Sequence, residues 1–169
     1  MFFLLVSFTN ASRNETSPPD RETARENARE LFQAGAKAWG TDESVFIRIL
    51  SALSHAQLGL VFEEYVNASG KSMEETIESE MSGNLKDGML AIVRCAKSKV
   101  DYFATLMYGA MKGAGTDDNA LIRLIVSRSE IDMADIKKAF ERIYKKPLAE
   151  SVKDDCGGDY RRILLALIK

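Results

Sequence analysis

The sequence predicts an all-α protein made of two five-helix modules, and three observations carry that prediction. Only three prolines interrupt 169 residues, and no run alternates apolar with polar residues as a half-buried strand would. Apolar residues recur instead at helical spacing, as in Leu58, Val61, Phe62 and Tyr65. The second half also repeats the first at a fixed offset of 75 residues, which sets Gly40 against Gly115. Trp39-Gly40-Thr41-Asp42-Glu43 falls on Ala114-Gly115-Thr116-Asp117-Asp118, and Ile47-Arg48 on Ile122-Arg123. Val61 then falls on Ile136, Tyr65 on Phe140, Ile77 on Val152, Glu80 on Asp155 and Gly83 on Gly158. A period kept over this distance marks a modular repeat architecture.

Residues 1–20 read as the stub of a preceding module and a linker, 21–97 as the first module and 98–169 as the second. The run Met1 to Phe8 is too short to span a bilayer. It also lacks the basic start and small-residue cleavage site of a signal peptide, so it reads as the stub of a buried helix. Thr9 to Asp20, with Pro18-Pro19, is a connector. Helices are expected at about Arg21–Ala36, Asp42–Leu53, His55–Asn67, Ser72–Met81 and Leu85–Lys97. The second set is expected at about Val100–Met111, Asp117–Val126, Glu130–Tyr144, Pro147–Asp154 and Asp159–Ile168. Their stripes include Val45/Phe46/Ile49/Leu50, Phe103/Leu106/Met107, Leu121/Leu124/Ile125 and Ile136/Phe140/Ile143. Helices this short do not stand alone in water, so each module must be a bundle packed on those stripes. The methionines and most aromatics are core on this reading.

Composition removes several function classes. The 23 Lys+Arg against 25 Asp+Glu leave a formal charge of -2, so no basic field exists to hold nucleic acid by counterion release. A protein of this charge that meets an anionic surface must borrow positive charge, and a bound divalent cation is the candidate. Cys95 and Cys156 have no metal-type spacing, and the single His55 excludes His-rich sites and any nucleophile–base arrangement. The chain is therefore not expected to be an enzyme. Free thiols in a reducing, cytoplasmic compartment are the default; the sequons at Asn10, Asn14 and Asn67 would matter only in a secreted chain.

Chemistry concentrates in the turns. Met111-Lys112-Gly113-Ala114-Gly115-Thr116-Asp117-Asp118 joins two expected helices. Capping alone accounts for much of it, with glycine ending one helix and Thr116 capping the next. Two glycines one residue apart also let the backbone curl so that successive carbonyls can face one centre. Calcium takes six to eight oxygens and mixes carbonyls with carboxylates. Carbonyls of Met111, Gly113 and Gly115 with the Asp155 carboxylate would make such a set, and Glu80 stands at the matching place in the first module. The phosphate-loop and helix-loop-helix calcium patterns both fail here, since Lys112 precedes its glycines and the acids do not alternate.

Met-Lys-Gly-Ala-Gly-Thr-Asp, with an acid 40 residues past its second glycine at Asp155, resembles the annexin repeat. Leu121-Ile122-Arg123, Val126-Ser127-Arg128-Ser129-Glu130-Ile131-Asp132 and Gly158-Asp159-Tyr160 resemble the fourth annexin repeat. Trp39-Gly40-Thr41-Asp42-Glu43 and Met81-Ser82-Gly83-Asn84-Leu85 resemble the third, and Leu4-Leu5-Val6-Ser7 the end of the second. The resemblance implies five-helix repeats wound into a right-handed superhelix, with calcium loops on one convex face. It implies calcium-dependent binding to acidic phospholipid membranes by a cytoplasmic protein that becomes peripheral when calcium is present. Carried over, the second-module site would use carbonyls of Met111, Gly113 and Gly115 with Asp155. The first would use carbonyls of Gly35, Ala38 and Gly40 with Glu80. Trp39, the only Trp, suits the membrane interface. Thr41 and Thr116 could touch the headgroup, with helix capping as their main task.

The chain departs from the family pattern in three places. The first module lacks the Met-Lys-Gly start, Leu53 stands where Arg128 stands in the second module, and Cys156 adjoins Asp155 as an inert thiol. Only two of four expected repeats are present, so faces meant for the others should be apolar and prone to self-association. A helical protein-interaction scaffold with weak or lost membrane binding is the alternative function.

Overall fold

The computed structural model describes all residues except Met1, Ala11, Ser12, 36–40 and Ala114. The chain divides into two compact units, Met1–Lys97 and Ser98–Lys169. Unit one contains α1 (Phe2–Thr9), α2 (Arg21–Gly35), α3 (Glu43–Ala52), α4 (His55–Ser69), α5 (Met73–Glu80) and α6 (Gly83–Lys97). Unit two contains α7 (Lys99–Met111), α8 (Asp118–Arg128), α9 (Met133–Tyr144), α10 (Leu148–Asp155) and α11 (Gly158–Ile168). Among the described residues there is no strand, only an isolated bridge between Asn14 and Leu53. The all-α expectation holds.

Local chemistry explains the boundaries. Ser54 caps α4 by accepting the Gln57 N–H at 3.1 Å, and Gly70 ends that helix at φ 71°. Ser72 and Glu75 form a capping box at α5, each side chain accepting the other's backbone N–H, at 3.2 and 2.7 Å. Ser98 caps α7 through the Asp101 N–H at 3.3 Å. The repeat is legible in torsion angles as well as in residues. Asp42 and Asp117 share φ/ψ of -80/84° and -76/84°, and Gly83 and Gly158 share the left-handed φ of 59° and 58°.

Each unit buries its own core. In unit one Leu31, Phe46, Ile49, Leu50, Leu58, Tyr65, Ile77 and Met89 close around one centre, and Leu4 of α1 joins them. In unit two Met107, Leu121, Ile125, Ile136, Phe140, Leu148, Val152 and Leu164 do the same. Tyr108 stacks on Tyr144 with ring centroids 3.9 Å apart, and Phe140 lies 4.9 Å from Tyr144.

The largest boundary difference has a clear cause. The helix expected from Glu130 begins at Met133, because residues 129–132 form a turn. Asp132 takes the N-cap position, but its carboxylate accepts from Arg128 Nε at 2.8 Å and so does not cap the helix. Arg128 also lies over the Phe103 ring at 4.6 Å. Unit one replaces that pair by Leu53 and Gln57, and α4 accordingly starts one turn earlier, straight after Ser54. The buried Gln57 instead clamps the connector, accepting the Asp20 N–H at 2.7 Å and donating to the Asp20 carbonyl at 2.8 Å. The connector is further held by Arg13, which donates to the carbonyls of Leu50 (2.9 Å) and Leu53. The Leu53 departure thus exchanges an ion pair for an amide clamp and packing against the first core.

Candidate metal centres

In unit two, α7 ends at Met111 and α8 begins at Asp118. Between them the backbone makes a tight loop closed by the Asp117 N–H, which donates to the Ala110 carbonyl at 2.8 Å. Gly113 and Gly115 adopt φ of 123° and 96°. A Cβ at either would meet no atom within 4 Å, so it is backbone torsion, not space, that requires glycine there. Asp155 is the last residue of α10. The Thr116 hydroxyl spans the gap, donating to Asp155 Oδ2 at 2.5 Å. The loop and its expected carboxylate, 39 residues apart, are therefore joined directly.

Unit one has the same plan in looser form. Glu80 ends α5, and the Thr41 hydroxyl reaches its Oε2 at 3.5 Å, again across 39 residues. The other carboxylate oxygen accepts from the Ser79 hydroxyl at 3.2 Å. Glu80 is exposed, whereas Asp155 is half-buried. Gly35, the last residue of α2, shares a cleft of about 180 Å³ with Glu80, Tyr65 and Ser79. Ala38, Gly40 and Trp39 lie outside the described residues.

The expectation that Thr41 and Thr116 mainly cap helices is corrected. The N-caps are Asp42 and Asp117, one residue later; Asp117 accepts the Ala120 N–H at 3.0 Å, and Asp42 accepts the Ser44 hydroxyl at 2.6 Å. Each threonine stands just outside its helix, which frees its hydroxyl for the carboxylate opposite. Sequence reasoning missed this task although its signal was present, a threonine 39 residues before an acid in both copies.

The surroundings restrain other chemistry. Cys156 is buried, and burial followed by the neighbouring Asp155 charge pushes its thiol up, which fits the inert reading. Burial, with Asp118 close by, pushes the Tyr160 phenol up to about 12. Burial also raises the Tyr65 phenol, and Glu80 adds to the effect. Among the described residues no three His, Cys, Asp or Glu side chains gather into a metal cluster. A cation in either turn would draw mainly on backbone carbonyls with one carboxylate, a hard all-oxygen set suited to calcium. None of the described helices is long and apolar enough to cross a membrane.

Comparison with known proteins is decisive at the family level. The annexin family model matches residues 26–92 and 102–167. Mouse annexin A4 is 49% identical over 164 residues, which cover 97% of this chain and 51% of that protein. The structure of annexin III superposes with a TM-score of 0.95 at 39% identity, covering 98% of this chain and 51% of that one. A calcium-bound annexin (Sm)1 structure superposes with a TM-score of 0.86 at 34% identity, covering 98% and 49%. The chain spans about half the length of these relatives. It belongs to the annexin family.

Proposed function

We propose that this chain binds calcium in both turns and, through the bound ions, the phosphates of acidic phospholipid membranes. Annexins are calcium-dependent membrane-binding proteins, and one relative of known structure is calcium-bound. The observation that carries the reading is the threonine–carboxylate link, at 2.5 Å in unit two and 3.5 Å in unit one. It holds Asp155 against Thr116, next to Gly113 and Gly115, and sets Glu80 within reach of Thr41, which supports the reading. In unit two the cation would take carbonyls of Met111, Gly113 and Gly115 with Asp155; in unit one, carbonyls of Gly35, Ala38 and Gly40 with Glu80. The ions supply the positive charge that a net -2 chain lacks. Trp39, Thr41 and Thr116 would meet the headgroup layer.

Within this reading Thr116 is a positioning residue, since its hydroxyl holds Asp155 toward the loop before any ion arrives. Thr116→Val is expected to weaken calcium binding at the second site about tenfold, the worth of one hydrogen bond to a charged group of about 1.5 kcal/mol. Thr116→Ser should restore it. Calorimetric titration of the lipid-free chain measures both, and equal affinities for the wild type and Thr116→Val would remove the positioning role. The tighter link at Asp155 also predicts that the second site fills at lower calcium than the first.

A further inference from the structure

The internal repeat singles out a lysine that has lost its partner. In unit two Lys146 forms an ion pair with Asp154, across the stretch from the end of α9 to the end of α10. In unit one, 75 positions earlier, the lysine is kept as Lys71 but Ser79 stands where Asp154 does. Lys71 is exposed and forms no ion pair among the described residues. Glu75 feels its charge, yet that carboxylate is spent on Ser72, accepting its N–H at 2.7 Å and its hydroxyl at 2.8 Å. Lys71 instead lines the cleft of about 180 Å³ that also holds Gly35 and Glu80 of the first candidate metal centre.

The rest of that cleft is polar in unit one and aromatic in unit two. The Tyr65 hydroxyl donates to Thr76 at 3.0 Å, both residues being buried. Ser79 donates to the Thr76 carbonyl at 3.1 Å and to Glu80 Oε1 at 3.2 Å. The Ser69 hydroxyl accepts the Lys71 N–H at 3.1 Å and so fixes the backbone that carries the lysine. At the matching places unit two has Phe140 for Tyr65 and Tyr144 for Ser69, and Tyr144 is stacked on Tyr108. Unit one therefore has a hydroxyl-lined cleft with an uncompensated ammonium beside the carboxylate of its metal centre. An ammonium in that setting calls for an anionic group as its partner.

We propose that this cleft selects the lipid headgroup at the first site, with Lys71 taking the carboxylate of a phosphoserine headgroup whose phosphate meets the calcium at Gly35 and Glu80. The inference rests on the calcium reading above and adds to it a residue that tells one acidic lipid from another. Phosphatidylserine and phosphatidylglycerol carry the same net charge at neutral pH, so the ions alone do not separate them. Only phosphatidylserine has a carboxylate for Lys71. In unit two Asp154 already occupies the lysine, so the second site lacks this selectivity.

Binding of the full chain, at saturating calcium, to vesicles holding equal fractions of either lipid tests it. The wild type should prefer phosphatidylserine about fivefold, the worth of one exposed charge pair. Lys71→Gln should bring the ratio of the two affinities close to one, and Lys71→Arg should keep it. Ser79→Asp, which gives Lys71 the partner that Lys146 has, should also erase the preference. Lys146→Gln, in the paired copy, should leave the ratio as it is. Soluble O-phospho-L-serine should displace the chain from phosphatidylserine vesicles more readily than glycerol 3-phosphate does. Equal wild-type affinities for the two lipids, a preference that survives Lys71→Gln, or equal displacement by the two soluble phosphates overturns the subsite while leaving the calcium reading intact. A chain that binds neither lipid in calcium overturns both.

Discussion

Asp155→Ala is expected to remove calcium binding from unit two while leaving its helices folded. Asp155 is the carboxylate that the Thr116 hydroxyl holds against the glycine turn, at 2.5 Å. Loop carbonyls alone offer dipoles to a divalent ion, whereas the carboxylate offers a full charge. Two unit charges 4 Å apart attract by about 4 kcal/mol at an effective dielectric near 20. Discounted for a half-exposed site, the loss is at least about a hundredfold in affinity. Calorimetry should count two ions per wild-type chain, one for Asp155→Ala and none for Glu80→Ala/Asp155→Ala. An unchanged count in the single variant would show that the turn binds through other oxygens.

Phe140→Ala carries the largest expected loss of stability. Phe140 is fully buried at the centre of the second core, 6.3 Å from Tyr108 and 4.9 Å from Tyr144 by ring centroids. Truncation removes its apolar area and leaves a cavity that flanking helices fill only partly, which costs about 3–5 kcal/mol. That is a large part of the roughly 5–15 kcal/mol that stabilises a typical domain. Urea unfolding followed by circular dichroism measures it; a loss below about 1 kcal/mol would contradict the packing around Phe140. Tyr65, which occupies the matching place in unit one, donates its hydroxyl to Thr76 at 3.0 Å, so the two cores solve the same position differently.

The architecture was legible because the repeat gave each helix from α2 to α11 two independent witnesses. The stripe Leu58/Val61/Phe62/Tyr65 and its partner Ile136/Phe140 placed α4 and α9 on the core, and their cores close as expected. Boundaries failed where a side chain had two uses. Asp132 could cap α9 or pair with Arg128, and periodicity carries no information on which bond wins. The threonines failed for a related reason: Thr116 stands one residue before the N-cap Asp117, and its hydroxyl donates to a carboxylate 39 residues away. Long-range polar contacts of this sort depend on how α10 ends beside the α7–α8 turn. No local pattern encodes that distance.

Co-sedimentation with phosphatidylserine vesicles is the sharpest test of the proposal that bound calcium joins this chain to acidic membranes. The full chain should pellet with the vesicles in calcium, stay in the supernatant in chelator, and stay there in both conditions when Glu80 and Asp155 are replaced by alanine. A folded, calcium-loaded chain that remains in the supernatant, or one that pellets equally in chelator, would contradict it.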